Sequence, residues 1–427
     1  MAGDAVGRVP RLLIDVEAEP MSEKRPEILS PAGDRESLLA ALRYGADAVY
    51  LAGRSFGMRA GAANFDGNGL CEAVSLAHGV GAKVYVACNT LPRDQELRRL
   101  PAFLEQVEAA GADAVIAADL GVMALVKRYA PRCALHVSVQ FGVVNAAAAA
   151  QLWELGASRV VLARELSLDE IAVLRRETPA ELELEAFVHG SMCLSVSGRC
   201  LLSSSLTGRD ANRGDCAQPC RWRYSLVEEK RPGLYFPVES GEEGSYILDA
   251  NDLCMIGHVA ALAQAGVTSF KIEGRAKAPY YVAAVTNAYR LAADGYAASG
   301  YSAGYQPPLW LSEELDKVSH RPYGTGFYYG TPRQNTAAGG YIRRWEVAAV
   351  ALDWEDGVLR VSQRNRFFDG EELEVLLPGE RPFTVSASPL TDGEGKPVPS
   401  ANHPEMTVSF PCPRPVPAGT LLRRKKD

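Results

Sequence analysis

From Glu27 onward the chain keeps one beat: a short apolar run, a stretch with helical spacing, then a glycine that leads into the next run. The runs are Glu27–Ser30, Ala48–Ala52, Lys83–Cys88, Ala114–Ala117, Leu135–Val139, Arg159–Ala163, Leu182–Val188 and Ser269–Ile272. They are rich in Val, Ile, Tyr and Phe, as parallel strands covered on both faces are. Helical spacing fills Arg35–Tyr44, Leu70–Val80, Glu96–Ala110 and Ser167–Arg176. The pentapeptide Gly45 to Val49 recurs at Gly111 to Val115, and Leu155 to Val161 fills the same slot. Each places a glycine at a helix end just before a strand. Eight such units predict an α/β fold, a TIM-type (β/α) barrel; an open doubly wound sheet has the same local signature. Barrel chemistry sits at the C-terminal ends of strands, which nominates Asn89, Asp119, Gln140, Arg164, Glu165, His189, Glu273 and Arg275. For each of these a loop or capping role is the plain alternative.

Two breaks divide the chain. Roughly eighty residues separate the seventh and eighth runs, far more than an ordinary βα loop holds, so a cysteine-rich insertion over 189–246 is expected at the catalytic face. After Asp294 the sequence turns to Gly, Ala, Ser, Tyr and Pro, which predicts a linker over 296–312 between a barrel at 26–295 and a second domain at 313–427. In that second domain the period falls to two, in runs at Val347–Leu352, Val358–Ser362, Leu373–Leu377, Phe383–Ala387, Met406–Phe410 and Thr420–Leu422. A small all-β barrel is expected there, closed by a basic tail of Arg423, Arg424, Lys425 and Lys426. Residues 1–25 have neither the basic start nor the apolar run of a signal peptide and are expected to be a disordered extension, with Met21 an equally good start. No stretch approaches the ~20 apolar residues of a membrane helix, and a cytoplasmic protein is expected. Hydrophobic residues make up 47% and charged residues 23%, and the net charge is −7. That excludes a wholly disordered chain and a generally basic nucleic-acid coat, while leaving room for local basic patches.

Nine cysteines, an odd number without a secretion signal, argue against a disulfide framework. Four of them, Cys193, Cys200, Cys216 and Cys220, fall within the insertion at spacings C-x₆-C-x₁₅-C-x₃-C. Thiolates suit zinc or an iron–sulfur cluster. Only the last pair is near the close spacing of a zinc knuckle, and a [4Fe–4S] cube tolerates wider spacing. Iron–sulfur ligation, structural zinc and unliganded thiols all stay open. Arg199, Arg209, Arg213, Arg221 and Arg223 would favour the thiolate form. With Trp222 and Tyr224 they can also hold single-stranded nucleic acid, phosphate on arginine and base on aromatic ring. At the eighth run, Lys271 and Glu273 alternate on one side and Arg275 extends the row, a pattern suited to an anionic ligand or to a structural ion pair. Ser30-Pro31-Ala32-Gly33 bends sharply at the end of the first run. A Cys–His dyad of His189 and Cys193 has its members only four residues apart, whereas thiol protease dyads usually join distant segments.

The run Glu185-x-Phe187-x-x-Gly190-Ser191-Met192-Cys193-x₄-Gly198-x-Cys200-x-Leu202-Ser203 resembles the signature of the collagenase-like peptidases, peptidase family U-thirty-two. The resemblance extends to Glu27 through Gly33, Gly45 through Tyr50, Arg209-Asp210-x-Asn212-x-Gly214, Lys271 through Arg275 and the C-terminal β region. It implies one of two activities. The family name implies a peptidase. Several members instead resemble oxygen-independent hydroxylases with an iron–sulfur cluster on four cysteines, acting on tRNA, on a cytidine of large-subunit ribosomal RNA, or in ubiquinone synthesis. The chain is most similar to the tRNA branch, which makes 5-hydroxyuridine at the wobble position with prephenate as the required metabolite. That similarity implies a [4Fe–4S] cluster on Cys193, Cys200, Cys216 and Cys220, with Cys254 an additional cysteine able to replace one of them. It also implies the tRNA anticodon loop as partner, and leaves room for a family paralogue in a heterodimer. Prephenate carries two carboxylates, and Arg164, Lys271 and Arg275, with Glu273 beside them, are the strand-end groups expected to meet it.

Overall fold

The structure, a computed structural model, describes residues 24–58, 62–193, 200, 202–222, 226–227, 235–236, 251–330 and 341–426. Most of the expected N-terminal extension, much of the insertion, and Arg199, Arg223 and Tyr224 lie outside the described residues. Eight parallel strands form the barrel. They are β1 (Glu27–Pro31), β2 (Ala48–Leu51), β3 (Lys83–Cys88), β4 (Ala114–Ala117), β5 (Ala134–Val137), β6 (Ala157–Val161), β7 (Glu183–Ser191) and β8 (Ser269–Ile272). The eighth closes the ring, pairing in parallel with β1 at Glu27↔Ser269 and with β7 at Glu185↔Ser269. The helices start where short polar side chains cap them. Asp34, Asp66, Asp119, Asn145 and Ser167 each accept a bond from the backbone N–H three residues on, replacing partners the first turn lacks.

Inside the ring Leu29, Ala48, Tyr50, Tyr85, Ala114 and Ile116 form their own apolar cluster, apart from the larger core between strands and helices. Beside it lies a buried ionic network. Arg159, 3% exposed, reaches Glu27 at 2.6 Å, Glu183 at 2.6 Å and Glu185 at 3.1 Å. Glu185, with no exposed surface, also accepts from Lys271 Nζ at 2.6 Å. Burial pushes the Glu27 carboxyl upward, but the Arg159 guanidinium and the hydrogen bonds from Arg159, Tyr85 and Ser269 outweigh it and hold the carboxyl below its ordinary value.

Two helical expectations shift. The helix expected over Glu96–Ala110 is split into Asp94–Leu97 and Leu100–Ala109, because Pro101 belongs in a first turn and cannot sit in a helix interior. The helix Pro279–Ala298 runs past Asp294 into the expected linker, held by the Arg290–Asp294 pair and the buried ring of Tyr296. A further helix, Leu309–Leu315, also starts inside that stretch.

The C-terminal unit is a seven-stranded antiparallel sheet. Its order is Phe383–Ser386, Glu372–Leu376, Leu421–Lys425, Trp345–Glu355, Val358–Gln363, Thr407–Pro411 and Thr391–Asp392. Its two edge strands are not paired with each other among the described residues, so it is a half-barrel and not a closed one. The expected basic tail is instead a central strand. Arg423 is fully buried, with Nη2 at 2.5 Å from Glu314 and 2.8 Å from Glu374, while Lys317 also meets Glu374 at 2.8 Å. Arg424 pairs with Glu346 at 2.8 Å and with Glu371. These two arginines fasten the sheet internally and to helix Leu309–Leu315. Replacing Arg423 by Leu strands two carboxylates against Lys317 alone and is expected to lower unfolding stability by about 3–5 kcal/mol; equilibrium denaturation of the full chain checks this.

Candidate active site at the barrel mouth

At the C-terminal end of the strands a cavity is lined by Tyr50 from β2, Ala87 of β3 and Asn89 beyond it, Ile116 from β4 and Phe187 from β7. Ser138, Val139 and Gln140 follow β5, Arg164 follows β6, Met58 lies in the loop after β2, and Lys271 of β8 is followed by Glu273 and Arg275. Its volume is about 60 Å³, room for a few waters or one carboxylate group. The lining carries three cations, Arg164, Lys271 and Arg275, against one carboxylate, Glu273. The four charged residues expected to meet the anionic metabolite therefore share one cavity.

Their partners differ from the alternation read in the sequence. Lys271, 4% exposed, pairs with Glu185 and not Glu273, and its Nζ lies 4.4 Å from the centre of the Tyr50 ring. Arg164 lies 4.0 Å over the Phe187 ring, donates to Ser191 O at 3.2 Å and stands 3.9 Å from Glu273. Its buried Nε has no hydrogen-bond partner among the described residues, so the fork keeps a donor to offer. Asn89 accepts from Met58 N at 3.0 Å and donates to Ser138 Oγ at 3.3 Å, joining three loops around the rim. The motif glycines are explained by contact. A Cβ on Gly33 would meet Arg275 O at 1.8 Å, and one on Gly190, at φ +105°, would meet Glu273 O at 2.5 Å. Only glycine lets the Glu273–Arg275 backbone pass so closely.

Of the eight nominated face residues, Asn89, Gln140, Arg164, Glu273 and Arg275 line the cavity, and Asp119, Glu165 and His189 do not. Asp119 is the cap of helix Leu120–Tyr129. His189, near the end of β7, is buried among the rings of Tyr281, Tyr289 and Tyr323, where burial lowers its pKa to about 3. A neutral ring there belongs to the packing. The lining residues not nominated include Tyr50, Met58, Ser138 and Phe187, and Glu185 pairs with Lys271.

The cysteine segment follows β7 in the chain, and its described part around Asn212 and Arg213 meets this end of the barrel. Cys193 is exposed, and Cys200, Cys216 and Cys220 are half-buried. Asn212 clamps Cys200 from both sides, accepting from its N–H at 3.1 Å and donating to its carbonyl at 3.0 Å. Arg213 pairs with Glu96 at 2.5 Å, and Leu91 N–H reaches Asn212 O at 3.5 Å, so the segment is fastened to the loop after β3. Arg209 is tied to Asp215 at 2.8 Å. The Gln218 N–H donates to Cys216 Sγ at 3.3 Å, the kind of contact that tunes cluster-bound sulfur. Four thiols in this segment fit thiolate ligation by donor type. Among the described residues, no group of three His, Cys, Asp or Glu side chains is gathered to hold a metal ion. Cys254 lies opposite His189 on the short strand Asp252–Cys254, with its thiol pushed up to about 11 by burial.

The sequence matches the family described as "Peptidase family U32" over residues 33–338 and its C-terminal domain over 343–423. Three relatives carry three different names. The chain is 35% identical to "tRNA hydroxylation protein P1" of Bacillus subtilis over 94% of this chain and 96% of that one. It is 39% identical to "23S rRNA 5-hydroxycytidine C2501 synthase" of Escherichia coli over 84% of this chain and 54% of the relative. It is 32% identical to "Collagenase" of Porphyromonas gingivalis over 82% and 86%. With both regions matched and a relative aligned nearly end to end, the chain belongs to peptidase family U32.

Proposed function

We propose that this chain is a tRNA-modifying hydroxylase whose active site is the barrel-mouth cavity together with the cysteine segment above it. The observation that carries the reading is the placement of Arg164, Lys271, Glu273 and Arg275 in one cavity at the barrel mouth, the end at which the cysteine segment is fastened to the loop after β3. The names of the relatives that hydroxylate RNA support the substrate class. Near-complete coverage of the tRNA protein, against about half of the ribosomal one, favours tRNA. A peptidase reading has less support: His189 is packed among tyrosines, and its Nε2 has no hydrogen-bond partner among the described residues.

In the finer reading, the product is 5-hydroxyuridine at the wobble position and prephenate is the co-substrate. Replacing C5–H by C5–OH with oxygen from water releases two protons and two electrons, so an oxidised electron-carrier protein that takes up both electrons is the required co-reactant. A [4Fe–4S] cluster held by Cys193, Cys200, Cys216 and Cys220 would supply one-electron chemistry that no side chain offers. Arg164 and Arg275 bind one carboxylate of the metabolite in the cavity, which is too small for the whole molecule, and its ring rests at the mouth. Lys271 keeps the wall positive, and Glu273 is the lining carboxylate placed to accept a proton.

Anaerobically purified protein is expected to be brown with about four irons per chain; colourless protein with one zinc and no iron contradicts the cluster. Nucleoside mass spectrometry of tRNA from a strain lacking this gene and any second family member is expected to lose 5-hydroxyuridine and its derivatives. Unchanged levels defeat the tRNA reading, and a loss confined to ribosomal RNA moves the activity to that substrate.

A further inference from the structure

Beside the cavity lies a second cleft of about 220 Å³, lined by Arg54, Ser55, Phe56, Gly57 and Asn64 on one side. Thr90, Leu91, Glu96 and Arg99 line the other, and Arg213 of the cysteine segment closes it. Three arginines face one carboxylate, and that carboxylate is already paired with Arg213. Arg99 is exposed, and among the described residues Arg54 pairs with Asp66, at 3.2 Å across open surface. Such an exposed pair is weak and easily exchanged for a better anion. Leu91, an apolar side chain 40% exposed, lies on the same wall.

The cleft and the cavity share two loops residue by residue. Phe56 and Gly57 line the cleft and the next residue, Met58, lines the cavity; Asn89 lines the cavity and the next two, Thr90 and Leu91, line the cleft. The first loop is held in a costly shape at that junction. Phe56 has φ +65°, rare for a bulky side chain, and is fixed there by Thr90, whose N–H and Oγ1 both donate to its carbonyl, at 3.2 and 3.1 Å. Backbone strain that the surroundings enforce clusters at ligand sites.

Resting on the tRNA reading above, we infer that Arg54, Arg99 and Arg213 form a phosphate subsite for the RNA strand, seating the backbone next to the nucleotide presented to the cavity. An unstacked loop strand fits it, because its phosphates face arginines while an apolar surface is left for a sugar or base. Of the arginines around the cysteines that the sequence nominates for nucleic acid, Arg213 lines this cleft and Arg209 does not. Arg54 and Arg99 are not among those nominated.

The test is fluorescence anisotropy of an anticodon stem-loop RNA with the full-length protein at several salt concentrations. Wild type is compared with the double variant Arg54→Gln/Arg99→Gln and with Arg128→Gln on the outer helix Leu120–Tyr129. Both cleft arginines are exposed, so an unchanged thermal midpoint verifies the fold. The double variant is expected to bind about tenfold more weakly at low salt, with a log–log salt slope shallower by about 1.4, two single-strand phosphate contacts. Arg128→Gln is expected to match wild type. Wild-type affinity and slope in the double variant, or an equal loss in Arg128→Gln, overturn the subsite while leaving the tRNA reading standing. Wild-type protein that does not bind the hairpin overturns both.

Discussion

A carboxylate without exposed surface sits between two cations at the seam where the barrel closes. Glu185 on β7 accepts from Arg159 on β6 and from Lys271 on β8, and Arg159 continues to Glu27 on β1. One ionic chain thus crosses the four strands that must meet for the ring to shut. Buried charges of this kind add little net stability against a well-packed apolar core, but a missing partner is severely penalised. A register slip in any of these strands would leave an ion uncompensated. The same chain delivers Lys271 to the cavity floor with its rotamer fixed, under the face of Tyr50. Fold closure and the charge of the site are therefore set by the same groups.

The barrel was legible because each βα unit repeats the same local grammar. Strands Lys83–Cys88, Ala114–Ala117 and Ser269–Ile272 lie where their apolar runs place them. What local pattern cannot express is a partner far along the chain. The terminal run of Arg423 to Lys426 has the composition of a solvated tail, yet Glu314 and Glu374, distant in sequence, draw Arg423 into the interior. The glycine- and alanine-rich stretch after Asp294 looks like a linker until Tyr296 finds its buried place. Whether the C-terminal sheet closes depends on edge pairing, which period-two alternation does not encode.

The site was half legible. Lys271, Glu273, Arg275 and Arg164 follow from strand ends alone. The missed floor follows from parity: in β7 Glu185 and Phe187 alternate inward, in β5 His136 does, with Ser138 just beyond the strand, and in β2 Ala48 and Tyr50. Polar residues on the inward parity of otherwise apolar strands were the available signal. Asp119 and His189 were indistinguishable from site residues by position, since a cap and a packed ring occupy strand ends too. The strained Phe56 has no sequence signal at all, because its backbone shape is imposed by Thr90 across the loop.

The central proposal is that the barrel-mouth cavity is where the RNA-modifying chemistry occurs. The most direct measurement is nucleoside mass spectrometry of tRNA from the deletion strain complemented with Arg275→Gln, at matched protein level and iron content. With Arg275 as a proposed carboxylate ligand, 5-hydroxyuridine and its derivatives are expected to fall at least about tenfold. Wild-type levels of the modified nucleoside from this variant would contradict the proposal.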